Sequence, residues 1–383
     1  MTKILYIVHS SKMGGATISF LNMVCGMKEA GYEPVIIYPD HNETFISILN
    51  QNGIEHIRVD LTPLILNVKS LKNKILHFYH YVSLTIRLKI TIKSFVKLVQ
   101  SVKPDLIHTN TGIIHEGFFA AKKLGIPHVW HLREYQDLDF GWQIYPTKKK
   151  FIDELAASYV IAISHGIFEH FKLSKTKDRV IYNGILPETE ITYIPHKQTY
   201  FLCASRVVAS KGHEDVVKAF ASFSKDHPDY RLIILGDGHR KFIDHLQKLA
   251  GKLDCKERIM FEGYKTVPET VKYMQNAKAL IVASKFEGFG RMTAEAAFAG
   301  CLVLGRDTGG TKEIIEHTNG ILFHDIPELL QAMNDVASLE EESYSERVIK
   351  GQQFAVKYYS IERNIQQIVQ FYSSILNTQS KAD

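Results

Sequence analysis

The chain has 383 residues, 45% apolar and 23% charged, with a net charge of +5. That length exceeds one ordinary core and suits two domains of roughly 150 to 200 residues each, and the balance is that of a globular protein rather than a fibrous or disordered one. No apolar run approaches the roughly 20 residues that span a bilayer, and Cys25, Cys203, Cys255 and Cys301 are too scattered for a disulfide framework or a zinc pattern, which suits a reducing cytoplasm.

The first predicted strand is Lys3–His9, a short apolar run that stops at a polar loop. It lacks the charged flank and cleavage site of a leader, so it reads as a buried strand. The loop that follows, Ser11-Lys12-Met13-Gly14-Gly15-Ala16-Thr17, places a Gly-Gly turn before a helix, where backbone N–H groups can meet an anion. It is neither G-x-G-x-x-G nor a P-loop, which disfavours a dinucleotide oxidoreductase. Strands are next expected at Pro34–Tyr38 and Glu55–Val59.

Between Asp60 and Asp105 the pattern changes. Lys69, Lys72, Lys74, Arg87, Lys89, Lys93, Lys97 and Lys103 meet no acid there. All the excess charge lies in this half: residues 1–197 carry +6 and the remainder −1. From Tyr79 to Val102 the pattern fits a basic amphipathic helix. Such a helix can lie on an anionic membrane surface, each nearby cation adding on the order of 1 kcal/mol. The segment 61–104 is therefore a candidate peripheral membrane contact at the inner face of the membrane. An ordinary helix with a solvated basic face is the alternative, and no motif supports nucleic acid as a partner.

Strands follow at Leu106–His108, His128–His131 and Tyr159–Ile163. Leu186–Gln198, with Pro187 and Pro195, has a linker composition. The alternation then restarts with Thr199–Ser205, Arg231–Gly236, Arg258–Phe261, Leu280–Ala283 and Leu302–Leu304. Strands alternating with helices predict two parallel-sheet α/β units in series. The tail from Tyr344 reads as helix, with Ile361, Ile365, Ile368, Phe371 and Ile375 at helical spacing. In such folds ligands bind beyond the strand C-termini.

Four motifs sit at those ends. In the segment from Ser284 to Gly300, Glu287 lies in a glycine-containing loop and Glu295 about one turn into the next helix. The glycines let backbone N–H groups approach a ligand closely. A carboxylate there opposes anion binding, and sugar hydroxyls would give it a purpose; a pair of solvated carboxylates is the plain alternative. Arg206 and Lys211, in Ala204–Gly212, can straddle a diphosphate, the one as a planar fork and the other as a point charge. His131 closes one strand in Trp130-His131-Leu132-Arg133-Glu134-Tyr135, and His108-Thr109-Asn110 closes another. Most lone histidines are structural, and eighteen occur here.

These residues resemble the E-x7-E donor motif and the Arg…Lys-Gly clamp of retaining glycosyltransferases of the GT-B fold, family 4. The likeness covers nearly the whole chain and is strongest from Tyr200 to Phe323. It implies an α/β architecture of two Rossmann-like domains facing across a cleft. Residues 1–190 would bind the acceptor, 198–355 the nucleotide-sugar, and a C-terminal helix, 358–378, would pack back on the first domain. It implies that Glu287 and His131 touch the donor sugar. The amides of Gly288, Phe289 and Gly290 would hold hydroxyls and phosphate, and Glu295 the ribose. Gly15 would face the donor phosphates, and the backbone at Gly263 and Tyr264 the base. Gly14, Thr17, His108 and Asn110 would lie on the acceptor side. Many members carry Glu where this chain has Thr17, a departure that touches the acceptor contact. Gly309-Gly310-Thr311 resembles a family loop near the donor.

The activity implied is transfer of a hexose or N-acetylhexosamine, with retention, from a nucleotide-sugar to a glycan or lipid-linked acceptor in cell-surface polysaccharide synthesis. Uridine is the expected base. No metal is expected, because two cations neutralise the diphosphate and no Asp-x-Asp pair stands in a donor-site context. A catalytically silent subunit that stabilises a partner, and a nucleotide-sugar epimerase, are the alternatives.

Overall fold

The computed structural model describes residues 1–67, 74–191 and 193–379. Contacts along the chain divide it into two units. Every strand expected above is present.

The first unit comprises Met1–Gly184 and the C-terminal helix Ile361–Gln379. Its strands are β1 Lys3–Ile7, β2 Glu33–Tyr38, β3 Glu55–Arg58, β4 Leu66–Asn67, β5 Leu106–Thr109, β6 His128–Leu132, β7 Trp142–Gln143, β8 Tyr159–Ala162 and β9 Arg179–Val180. Seven form one parallel sheet in the order β3-β2-β1-β5-β6-β8-β9, and β4 pairs antiparallel with β7. Central strands such as β5 and β6 are buried along their whole length. That burial follows from helices on both faces of a parallel sheet, and it explains continuous apolar runs where an exposed sheet would alternate. The strands β4, β7 and β9 were not expected, since two residues carry no periodicity.

The helix Lys74–Val102 packs Leu88, Phe95, Val96 and Val99 inward at helical spacing. It is fastened by buried Glu116, whose Oε1 accepts from Thr62 N at 2.8 Å and Thr91 Oγ1 at 2.9 Å. Lys69 and Lys72 lie outside the described residues. Among the described residues, no helix is long and apolar enough to cross a membrane. The C-terminal helix seats Ile368, Phe371, Tyr372 and Ile375 against Tyr6, Phe20, Val24 and Met27. Each such side chain contributes about 1.5–3 kcal/mol by burial. Asn364 Nδ2 donates to Tyr182 O at 2.6 Å and ties the helix to the end of the unit.

The second unit is Ile185–Ser360. Its strands are β10 Tyr200–Ala204, β11 Arg231–Leu235, β12 Ile259–Gly263, β13 Ala279–Val282, β14 Val303–Arg306 and β15 Ile321–Phe323. They form a parallel sheet in the order β12-β11-β10-β13-β14-β15. Residues 186–191 and 193–198, expected to be a linker, pack with this unit, as does Ile185. Ile185 N donates to Tyr359 O at 2.9 Å, and Lys197 Nζ to Gln275 O at 2.6 Å and Gly300 O at 2.7 Å. The chain therefore changes unit at Gly184–Ile185 and returns at Ser360–Ile361, where Ser360 is extended between two helices. In each sheet the order reverses beside the first strand, which is where a doubly wound sheet opens a ligand crevice.

Candidate functional site

In the second unit two loops lie side by side at this reversal. After β10, residues 205–212 lead into the helix His213–Asp226, and after β13, residues 283–290 lead into the helix Arg291–Phe298. Lys285 N donates to Ser210 O at 2.9 Å and joins them. Gly212 makes this approach possible: its φ is +72°, and a Cβ would sit 2.1 Å from Ala283 O.

The loops bring the predicted charges together. The Lys211 ammonium donates to the Glu287 carboxylate, both partly buried. Glu295 is 3% exposed, and its Oε1 accepts from Arg291 Nε at 2.7 Å. Burying a carboxylate is costly unless it is paired, and each of these acids has a cation. Arg206 is exposed at the end of β10 and has no carboxylate partner among the described residues. A further helix, Gly309–Thr318, braces the acid-bearing loop: Gly310 N donates to Glu287 O at 2.9 Å, and a Cβ on Gly310 would meet Phe289 O at 2.2 Å. At the end of β12, the Gly263 carbonyl accepts from Gly236 N at 2.7 Å, while the Tyr264 ring is 70% exposed.

In the first unit the Gly-Gly turn is held by Asp40 at the end of β2. Its carboxylate accepts from Ser11 N at 2.6 Å and Ser10 Oγ at 2.8 Å. Burial pushes the Asp40 carboxyl up, but the hydrogen bonds from Ser11 and Ser10 prevail and hold it below its usual value. Gly14 caps the helix Gly15–Glu29, and both glycines are exposed with open space beside Gly14. Thr17 donates its hydroxyl to Lys12 O at 2.8 Å, closing the same loop.

His131 is buried at the end of β6. Its Nδ1 lies 3.2 Å from His108 Nε2, and its Nε2 is buried without a protein hydrogen-bond partner. Burial, the Arg133 guanidinium and His108 hold its pKa well below the ordinary histidine value, so the ring is neutral. His108, expected on the acceptor side, lies in the core at the end of β5. That ring is wholly buried and both its nitrogens face protein partners, because β5 has a core on both faces. Asn110 is also buried: its Oδ1 accepts from Arg133 Nε at 2.7 Å, and Arg133 Nη1 donates to Asn183 Oδ1 at 2.6 Å.

Residues 13–189 match the family described as Glycosyltransferase Family 4, and residues 188–353 match Glycosyl transferases group 1. The chain belongs to these glycosyltransferases. An uncharacterized glycosyltransferase of Methanocaldococcus jannaschii is 27% identical over 57% of the enzyme and 62% of that relative. The enzyme thus spans somewhat less than two thirds of that relative's length. The alpha-monoglucosyldiacylglycerol synthase of Acholeplasma laidlawii is 24% identical over 83% of each chain. The crystal structure of Anabaena HepE in complex with UDP aligns with a TM-score of 0.79 at 20% identity, over 97% of the enzyme and all of that chain. This likeness shows the GT-B fold, with two Rossmann-like domains.

Sequence reasoning missed three parts of the transferase. Arg291 pairs with Glu295 at a four-residue spacing that could have been read from a helix pattern. Asp40 sits at a strand end, a signal that was available. Tyr372 lies on the last helix at an apolar position and carried no signal of its contact with His108.

Proposed function

We propose that the enzyme is a retaining transferase that moves a hexose or N-acetylhexosamine from a uridine diphosphate sugar. The second unit holds the nucleotide-sugar, and the first supplies His131 and the acceptor site. One observation carries this reading: the loop with Arg206 and Lys211 is pinned beside the loop with Glu287 at the C-terminal ends of β10 and β13. The binding of UDP by HepE and the product named for the Acholeplasma laidlawii relative support it.

On this reading the diphosphate lies against Arg206 and Lys211. Lys211 exchanges Glu287 for phosphate oxygens, which frees the carboxylate for a sugar hydroxyl. As the bond from the anomeric carbon to phosphate oxygen breaks, charge develops on the diphosphate, where preorganised cations lower the barrier. The acceptor hydroxyl attacks from the face the diphosphate leaves, and the leaving phosphate takes its proton. No protein nucleophile is required, and configuration is kept. Two cations serve the diphosphate, so the reaction is metal-independent and should persist in EDTA.

The acceptor is a glycan or a lipid-linked saccharide at the inner face of a membrane. The helix Lys74–Val102 supports this. Ile75, Tyr79, Ile86 and Ile90 form an exposed stripe continued by Lys93 and Lys97, with Arg87 and Lys89 alongside. An apolar stripe flanked by cations fits an anionic lipid surface. Incubation with UDP-sugars and lipid-linked saccharides, with the product read by mass and anomeric proton coupling, tests the reading. A retained glycoside is expected. A product of the donor's own mass would instead reveal an epimerase, and an inverted linkage would exclude the front-face route.

A further inference from the structure

We infer that Tyr372 and His108 form a positioning chain that sets His131 as a hydrogen-bond donor through Nε2. The inference rests on the reading of His131 as a group that touches the transferred sugar.

The chain runs through the core of the first unit. The Tyr372 hydroxyl lies 2.6 Å from His108 Nδ1 and 3.4 Å from the Tyr6 hydroxyl. It has one proton to give. The first distance is that of a strong hydrogen bond and the second is beyond the usual range for hydroxyl pairs. A phenol is also a better donor than a neutral imidazole N–H, and an imidazole nitrogen a better acceptor than a phenol oxygen. Tyr372 therefore donates to His108 Nδ1.

The rest follows from the valence of imidazole. A neutral ring that accepts at one nitrogen carries its proton on the other. His108 then donates from Nε2 to His131 Nδ1 across 3.2 Å. His131 in turn carries its proton on Nε2, the buried nitrogen without a protein partner. Burial and the Arg133 guanidinium keep both rings neutral, with His128 also acting on His108 and His108 on His131. A buried N–H without an acceptor is unfavourable, and a hydroxyl oxygen of the donor sugar supplies one. Set this way, His131 gives a hydrogen bond and cannot take a proton at Nε2. That agrees with the leaving phosphate as the acceptor of the hydroxyl proton. It also gives the helix Ile361–Gln379 a part in the chemistry, since Tyr372 stands on it.

The test is nitrogen-15 NMR of the histidine rings, with transfer rates, for the unaltered enzyme, Tyr372→Phe and Tyr6→Phe. The unaltered enzyme should show neutral His108 and His131, each protonated on Nε2. Tyr372→Phe should move both away from that tautomer and lower kcat/KM for the UDP-sugar about tenfold. Tyr6→Phe removes an equally buried hydroxyl that lies outside the chain, so it should leave tautomers and rate nearly unchanged. His131 protonated on Nδ1 in the unaltered enzyme would overturn the inference, as would a Tyr372→Phe spectrum that does not move or an equal effect of Tyr6→Phe. A shifted spectrum with an unchanged rate would overturn the link to catalysis. Unchanged transfer in His131→Ala would overturn the reading of His131 itself, while the spectra still decide the chain.

Discussion

Glu287 and Lys211 are paired, but the proposed function gives them different partners, and the two variants should therefore fail differently. On the proposed reading, Lys211→Ala removes a cation from the diphosphate and should weaken UDP binding and transfer together. On the same reading Glu287→Ala removes a contact to the sugar, so transfer should fall by about 100-fold or more while UDP binding is largely kept. Calorimetric titration with UDP beside initial rates separates the two, and equal losses of binding would count against the assignment. The spacing of Glu287 and Glu295 was legible because both follow a strand into a helix. Their cations were not equally so. Arg291 stands one turn from Glu295, but Lys211 is 76 residues from Glu287 and meets it only through the neighbouring order of β10 and β13. The burial of His108 was not legible, because a strand end does not say which way a ring points when both faces of the sheet are covered.

At the scale of elements, the helix Gly309–Thr318 fixes the shape of the acid-bearing loop. Gly310→Ala would drive a methyl into the Phe289 backbone. Overpacking of this kind costs about 1–3 kcal/mol. The thermal midpoint should fall and UDP affinity should drop, with helix content by circular dichroism unchanged. The helix Lys74–Val102 makes a separate prediction. Ile86→Glu with Ile90→Glu should weaken sedimentation with anionic vesicles and leave binding to neutral vesicles at background. Equal sedimentation of the parent and the double variant would remove the membrane reading. The basic character of this helix was readable from its composition. Its apolar stripes, one inward and one exposed, were not separable by periodicity alone, since an inward core set (Leu88, Phe95, Val99) and an outward set (Ile86, Ile90) interleave.

The whole molecule repeats one plan twice, and the repeated alternation of strand and helix made that plan legible. The exchange of the last helix into the first unit left no trace in periodicity; the family likeness alone implied it. A pH prediction belongs to this scale. Burial lowers the pKa of His9, His108 and His131, of His128 to about 3, and of His213 to about 4. Unfolded histidine takes a proton near pH 6.5, so the unfolded chain binds more protons and stability is lost as pH falls below that value. His128 and His213 alone should each remove about 1.4 kcal/mol by pH 5.5. Asp139, raised by burial to about 6, and Glu116, Glu134 and Asp178, also raised by burial, act in the opposite sense, but as carboxylates they do so mainly toward the acid end of this range. The unfolding midpoint should drop between pH 7 and 5.5, and a constant or rising midpoint would contradict this.

The central claim, that the loops after β10 and β13 hold a uridine diphosphate sugar, is tested most directly by thermal unfolding with UDP, GDP, dTDP and ADP. A ligand present at about 100 times its dissociation constant adds about 2.7 kcal/mol to the folded state. A rise in midpoint with UDP that is lost in Lys211→Ala is the result predicted. No rise with any nucleotide, or a rise that survives in Lys211→Ala undiminished, would contradict the assignment.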